Sequence, residues 1–199
     1  VCVATDAFDA REKIKEYVEH TYPNIKKKYV TQETREGLGH AIWLTKNVIP
    51  KKSEVMIVLG DTIIDVDWKK FIGLKTSALG VKKVTDPRKF GVAEFDAEGN
   101  IIHVVEKPTI PKSNMALVGI YKIKESSKLF EALESQLQNG VAADGEYHLT
   151  DALQKMVDKG VVFNAFRVNN WFDCGRKETI LETNATLLKM MNDKEDFVI

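Results

Sequence analysis

Two acidic residues stand at the ends of runs that read as buried strands. Asp61 closes Val55-Met56-Ile57-Val58-Leu59-Gly60-Asp61, and Asp173 lies in Trp171-Phe172-Asp173-Cys174-Gly175, after the apolar run 161–166. In an α/β sheet, side chains at the carboxyl ends of strands face the crevice where ligands bind, so two such carboxylates can converge on one cation. Mg2+ prefers hard oxygen ligands and takes one or two carboxylates together with substrate phosphates. The pair therefore points to Mg2+ and phosphate chemistry, although either acid alone reads as an ordinary turn or loop residue.

Two further segments carry weaker signals. Gln32-Glu33-Thr34-Arg35-Glu36-Gly37-Leu38-Gly39-His40-Ala41 places a polar strand end, two glycines and a helix start together. Glycines let a ligand approach the backbone closely, and the Gln32 amide offers both a donor and an acceptor to a nucleobase edge. Glu106-Lys107-Pro108 ends another strand, where Glu106 can accept from sugar hydroxyls and Lys107 can bind a phosphate. In isolation the first is equally a helix-entry loop and the second a solvated charge pair. His20, His40, His103 and His148 fall at no metal-binding spacing, and no GxGxxG or Walker A sequence occurs.

The elements that must position these groups follow from periodicity. Ile14, Tyr17 and Val18 mark an amphipathic helix over about 9–20, Lys28–Thr31 reads as a short strand, and Leu38, Ala41, Ile42, Thr45 and Val48 share a face of a second helix. Strands over 78–84, 91–95, 101–106 and 115–123 follow, with a hairpin turn at Ala97-Glu98-Gly99-Asn100. Helices return over 126–137 and 149–159, the latter with Thr150 and Asp151 suited to its N-terminus and Gly160 to its end. A strand over 161–168 and a helix over 177–191 complete the pattern. The alternation predicts an α/β fold of Rossmann-like type. Its sheet is mixed but mostly parallel, with helices on both faces and an antiparallel hairpin extension.

Composition narrows the function classes. Lys plus Arg equal Asp plus Glu at 29 each over 199 residues, so no global field exists to hold a nucleic acid or an acidic membrane. Cys2 and Cys174 show neither zinc nor disulfide spacing, no apolar stretch is long enough to span a bilayer, and no signal-peptide pattern opens the chain. These features predict one domain over 1–199 in a reducing cytoplasm. The chain opens at Val1 without an initiator methionine, inside what reads as a strand already under way. The expectation is a domain truncated at its N-terminus, whose missing strand would leave an unpaired sheet edge and favour a homo-oligomer.

Taken in order, these pieces resemble the catalytic domain of the sugar-phosphate nucleotidyltransferases, especially the glucose-1-phosphate thymidylyltransferase group. The matching strings are 32–41, Val58-Leu59-Gly60-Asp61, Asp86-Pro87-Arg88-Lys89-Phe90-Gly91-Val92, Glu106-Lys107-Pro108, 114–121, 145–152 and Trp171-Phe172-Asp173-Cys174-Gly175. The resemblance implies that Asp61 and Asp173 hold a catalytic Mg2+. It places Gln32, Gly37 and Gly60 on the nucleotide, and Gly91, Glu106, Lys107 and Leu117 on the sugar phosphate, with Lys107 also catalytic. The implied reaction joins an NTP (dTTP or UTP) to a sugar 1-phosphate, glucose 1-phosphate first, and releases pyrophosphate. The family's glycine-rich nucleotide loop, with its Arg and Lys, has no counterpart here. These 199 residues alone are therefore expected to be a poor catalyst, and a sugar-nucleotide sensor on the same fold is the alternative.

Overall fold

The structure, a computed structural model, describes residues 2–5, 8–142 and 144–195. Its elements run β1 (Cys2–Thr5), α1 (Phe8–Thr21), β2 (Lys28–Thr31), α2 (Leu38–Trp43), β3 (Val55–Val58), β4 (Thr62–Asp65), α3 (Trp68–Gly73) and β5 (Ser77–Lys83). They continue as β6 (Gly91–Phe95), β7 (Asn100–Glu106), β8 (Met115–Ile123), α4 (Ser126–Asn139), α5 (Leu149–Asp158), β9 (Phe163–Arg167), β10 (Asn170–Asp173) and α6 (Lys177–Glu195). No helix among the described residues is long and apolar enough to cross a membrane.

The main sheet has the order β3-β8-β5-β9-β7-β6, and β6 also meets β8 at Val92↔Ala116. Taking the pairings in turn, β3, β5, β9 and β6 run one way and β8 and β7 run against them. The mixed α/β sheet with its β6–β7 hairpin is as expected, and one direction does predominate by strand. The pairing is another matter: the two reversed strands are interleaved, so β5–β9 is the parallel pair of this sheet and β1–β2 a second one apart from it.

Each face of the sheet has its own core. Leu79, Val81, Leu117, Tyr121, Ile123 and Phe163 pack against Leu129, Ala132 and Leu133 of α4 and Leu149, Ala152, Leu153 and Met156 of α5. Those helix residues recur at three- and four-residue spacing, which is why both helices form where the apolar stripe lies. Ala78, Val118 and Ile120 face the other way, onto Phe71 of α3 and the half-buried Ile64 and Trp171. α3 is short, and it starts where the Asp67 carboxylate accepts from Lys70 N at 3.0 Å. β8 is buried along almost its whole length because it lies between β3 and β5 and is covered on both faces.

Several local expectations shift. The apolar run before Asp61 does not extend to it: β3 stops at Val58, and Asp61 lies in the turn that starts β4. Helix 38–48 stops as α-helix at Trp43 and tightens into a 3₁₀ turn over Leu44–Asn47, closed by Thr45 Oγ1 donating to Ile42 O at 2.6 Å. α5 has no side-chain cap: the Thr150 hydroxyl turns instead toward Glu106. Gly160 ends that helix region as expected, at φ +80.

A bulge sets the middle of the sheet. Between Leu79↔Tyr121 and Val81↔Leu117, the three residues Val118, Gly119 and Ile120 face the single Gly80. A Cβ on Gly80 would stand 2.2 Å from Ile120 Cγ1, inside van der Waals contact. Gly80→Ala is therefore expected to destabilise the protein by about 1–3 kcal/mol. In urea denaturation the double variant with Ile120→Ala should lose less than the sum of the two single changes, because the second change removes the clash.

Candidate active site at the β4–β10 ribbon

Asp61 and Asp173 meet through an antiparallel ribbon. β10 pairs with β4 so that Asp173 lies opposite Thr62 and Trp171 opposite Ile64, and Cys174 N then donates to Asp61 O at 2.7 Å. Two residues that are 112 positions apart in the sequence numbering thus become neighbours by strand register. Gly175 completes the arrangement. A Cβ there would stand 3.1 Å from Asp61 Oδ2 and 3.2 Å from Asp173 Oδ1, so both carboxylates border the same bare Cα.

Asp173 Oδ1 accepts from Gly175 N at 3.0 Å, and Arg176 Nη2 lies 3.9 Å from Asp173 Oδ2. That ion pair is long and solvent-facing, the kind that contributes little. Two hard oxygen donors over a space that a side chain would fill suit a divalent ion such as Mg2+.

A cavity of about 330 Å³ opens beside the pair and gathers six residues singled out from the sequence: Asp61, Gly91, Glu106, Lys107, Leu117 and Asp173. Glu106, at the end of β7, is held by Thr150 Oγ1 donating to its Oε2 at 3.0 Å, and Lys107 Nζ lies 3.6 Å from its Oε1. Gly91 permits that contact, because a Cβ would sit 2.8 Å from Thr150 Cγ2 and 3.3 Å from Glu106 Oε2. Lys107 adopts φ +39, a left-handed conformation costly for a side-chain-bearing residue, while its N donates to Phe90 O at 3.0 Å.

Gln32, Gly37 and Gly60 lie outside this cavity's lining. Gly60 borders a separate groove of about 470 Å³ between α2 and β3. Gln32 is buried, its Nε2 donating to Gly37 O at 3.0 Å and lying 3.1 Å from His40 Nδ1. The glycines here admit protein backbone: Cβ atoms on Gly37 and Gly39 would stand 2.8 and 2.7 Å from Tyr147 O. Gly39 N donates to that same oxygen, and Tyr147 N to Glu36 O, which ties this loop to the segment that enters α5.

Among the cavity groups with no role assigned from sequence, four stand out. Tyr121 is 5 % exposed, and burial, then the negative charges of Glu106 and Asp61, push its hydroxyl well above the ordinary phenol range, so it stays a donor. Phe90 and Trp171 meet edge to face at 4.9 Å and form an aromatic rim. His148 lines the cavity with its Nε2 2.8 Å from Asp144 Oδ2, and Asp144, Glu146 and His148 bring ligand atoms within 4.8 Å of one another. An i, i+2, i+4 pattern in a loop carries no periodic signature, which is why the sequence did not reveal this cluster.

Comparison with known proteins agrees with the geometry. The chain is 36% identical over 186 residues to the bifunctional protein GlmU of Methanocaldococcus jannaschii, an alignment covering 92% of this chain and 42% of that one. It is 29% identical over 181 residues to a glucose-1-phosphate thymidylyltransferase of Streptomyces griseus, covering 88% and 49%. The chain thus spans less than half the length of these curated relatives. The crystal structure of UDP-glucose pyrophosphorylase complexed with UDP-glucose shares the fold, with a TM-score of 0.72, 22% identity and coverage of 94% and 75%. The profile of the nucleotidyl transferase family matches residues 1–190, and the chain belongs to that family.

Proposed function

We propose that the protein is a sugar-1-phosphate nucleotidyltransferase, with residues 1–199 belonging to one catalytic domain that is a poor catalyst by itself. It would form an NDP-sugar and pyrophosphate from dTTP or UTP and a sugar 1-phosphate, with glucose 1-phosphate the first candidate. What supports this reading is the meeting of Asp61 and Asp173 beside a cavity that also holds Glu106, Lys107 and Gly91. Asp61 and Asp173 would hold Mg2+, which when bound supplies charge neutralisation on the phosphates.

The chain's own residues account for the rest. An oxygen of the sugar phosphate attacks the α-phosphorus of the NTP as the bond to the β-phosphate bridge breaks, and pyrophosphate leaves in line. No covalent link to the enzyme forms. Lys107, projected by its left-handed turn, sets the sugar phosphate by charge. Glu106, held by Thr150, accepts from sugar hydroxyls, and Tyr121 is placed to donate to them. The side chain missing at Gly91 lets Thr150 and Leu117 pack close beside Glu106, which fixes that carboxylate for its role.

On the nucleotide side the commitment of Gln32 Nε2 to Gly37 O leaves its carbonyl oxygen as the group to offer a base. Thymine and uracil each present an imide N–H that such an oxygen accepts. An acceptor oxygen is consistent with either base and does not separate the two.

Calorimetric titration with UDP-glucose and dTDP-glucose, with and without Mg2+, tests the reading. Binding should strengthen with Mg2+, and Asp61→Ala and Asp173→Ala should each abolish the metal-dependent part. Binding that ignores Mg2+ in the unaltered chain would overturn the assignment in favour of a metal-independent sensor. Gly175→Ala, which places a methyl group between the carboxylates, should lower metal-dependent binding at least tenfold with the far-UV circular dichroism unchanged. Lys107→Gly should leave stability within about 1 kcal/mol, since glycine accepts the left-handed conformation, while affinity for glucose 1-phosphate falls.

A further inference from the structure

Thr62 follows Asp61 directly and sits opposite Asp173 in the ribbon. Its hydroxyl accepts from the Trp171 indole N–H at 2.8 Å and donates to Val118 O at 3.0 Å. Neither partner can exchange roles: an indole nitrogen only donates and a carbonyl only accepts. The proton of Thr62 is therefore fixed in direction, and the chain of bonds has one polarity. Its three members belong to β10, β4 and β8, the strands that carry Asp173, the residue after Asp61, and Leu117.

Opposite residues of an antiparallel pair project to one side, so Thr62, Asp173 and, two residues back, Trp171 share a face of the ribbon. Val118 lies where β8 bulges away from Gly80 and its ladder to β5 is interrupted. The ribbon β4–β10 is a sheet separate from the main one. A side-chain hydroxyl here spans two sheets that share no ladder.

We infer that Thr62 is a positioning residue: through its two hydrogen bonds it holds the Asp61–Asp173 pair at a set distance from the sugar-side strand β8. The inference rests on reading Asp61 and Asp173 as a cation-holding pair. Groups hydrogen-bonded directly to metal ligands are typically worth about 10–100-fold in metal affinity, and Thr62, which acts through the strands and touches neither carboxylate, belongs at the low end of that range. Valine matches threonine in shape but can neither accept nor donate, whereas serine keeps the hydroxyl and loses only the methyl group.

The test is Mn2+ binding to the chain, followed by electron paramagnetic resonance, together with the indole N–H resonance of Trp171. Thr62→Val should weaken Mn2+ binding about tenfold and shift the indole resonance upfield, as its acceptor is lost. Thr62→Ser should restore affinity to within about threefold and return the resonance toward its original position. Trp171→Phe, which keeps Thr62 and removes the indole donor, covers the case in which Thr62→Val fails to fold, and should fall between the two. Wild-type affinity in Thr62→Val, or equal loss in Thr62→Ser, overturns the positioning role alone. A wild-type chain that binds no Mn2+ overturns the cation-holding reading and the positioning role with it.

Discussion

The register of β10 against β4 is the constraint on which the site depends. With Asp173 opposite Thr62, and Cys174 N bonded to Asp61 O, the two carboxylates come to border the same bare Cα at Gly175. A slip of one residue would turn Asp173 and Trp171 to the opposite face of the ribbon, because side chains alternate with a period of two. It would also remove the indole from Thr62 and the aromatic edge from Phe90. Trp171 thus has two partners that both disfavour the slipped pairing, and a ribbon of four residues per strand needs such side-chain fixtures to have one register.

Around the ribbon, the cavity is shaped as much by missing side chains as by present ones. Gly175 separates the carboxylates, Gly91 admits Thr150 to Glu106, and Gly80 makes room for the bulge that brings Val118 toward Thr62. These positions cannot take alanine without moving a neighbour. The left-handed turn at Lys107 is a further local cost, offset by the bond of its N to Phe90 O. Backbone strain beside two carboxylates at one cleft is what a binding site looks like before its ligand is present, since the ligand supplies the compensating interactions.

The long or strongly patterned elements were legible from sequence. β8 and β6 have the predicted bounds, and α5 differs by one residue, because an unbroken apolar run or an apolar stripe at helical spacing reports burial directly. β4, α3 and β10 were not anticipated. Each has only four or six residues, too few to establish a period. The Thr150 hydroxyl was assigned to a helix N-terminus by its local position, whereas a partner 44 residues earlier, Glu106, claims it.

By itself the sequence determined the α/β class, the places of the main helices and strands, and six residues of one cavity, because residue type, period and motif order are local properties of the chain. The tertiary structure decided which strands pair and in which direction. It also decided that Gln32 spends its amide N–H inside the protein, and that Tyr121, Phe90, Trp171 and Thr62 join the site. Pairing and hydrogen-bond partnership depend on which distant groups are left unsatisfied when the layers close. A one-dimensional pattern does not contain that information until the chain is folded.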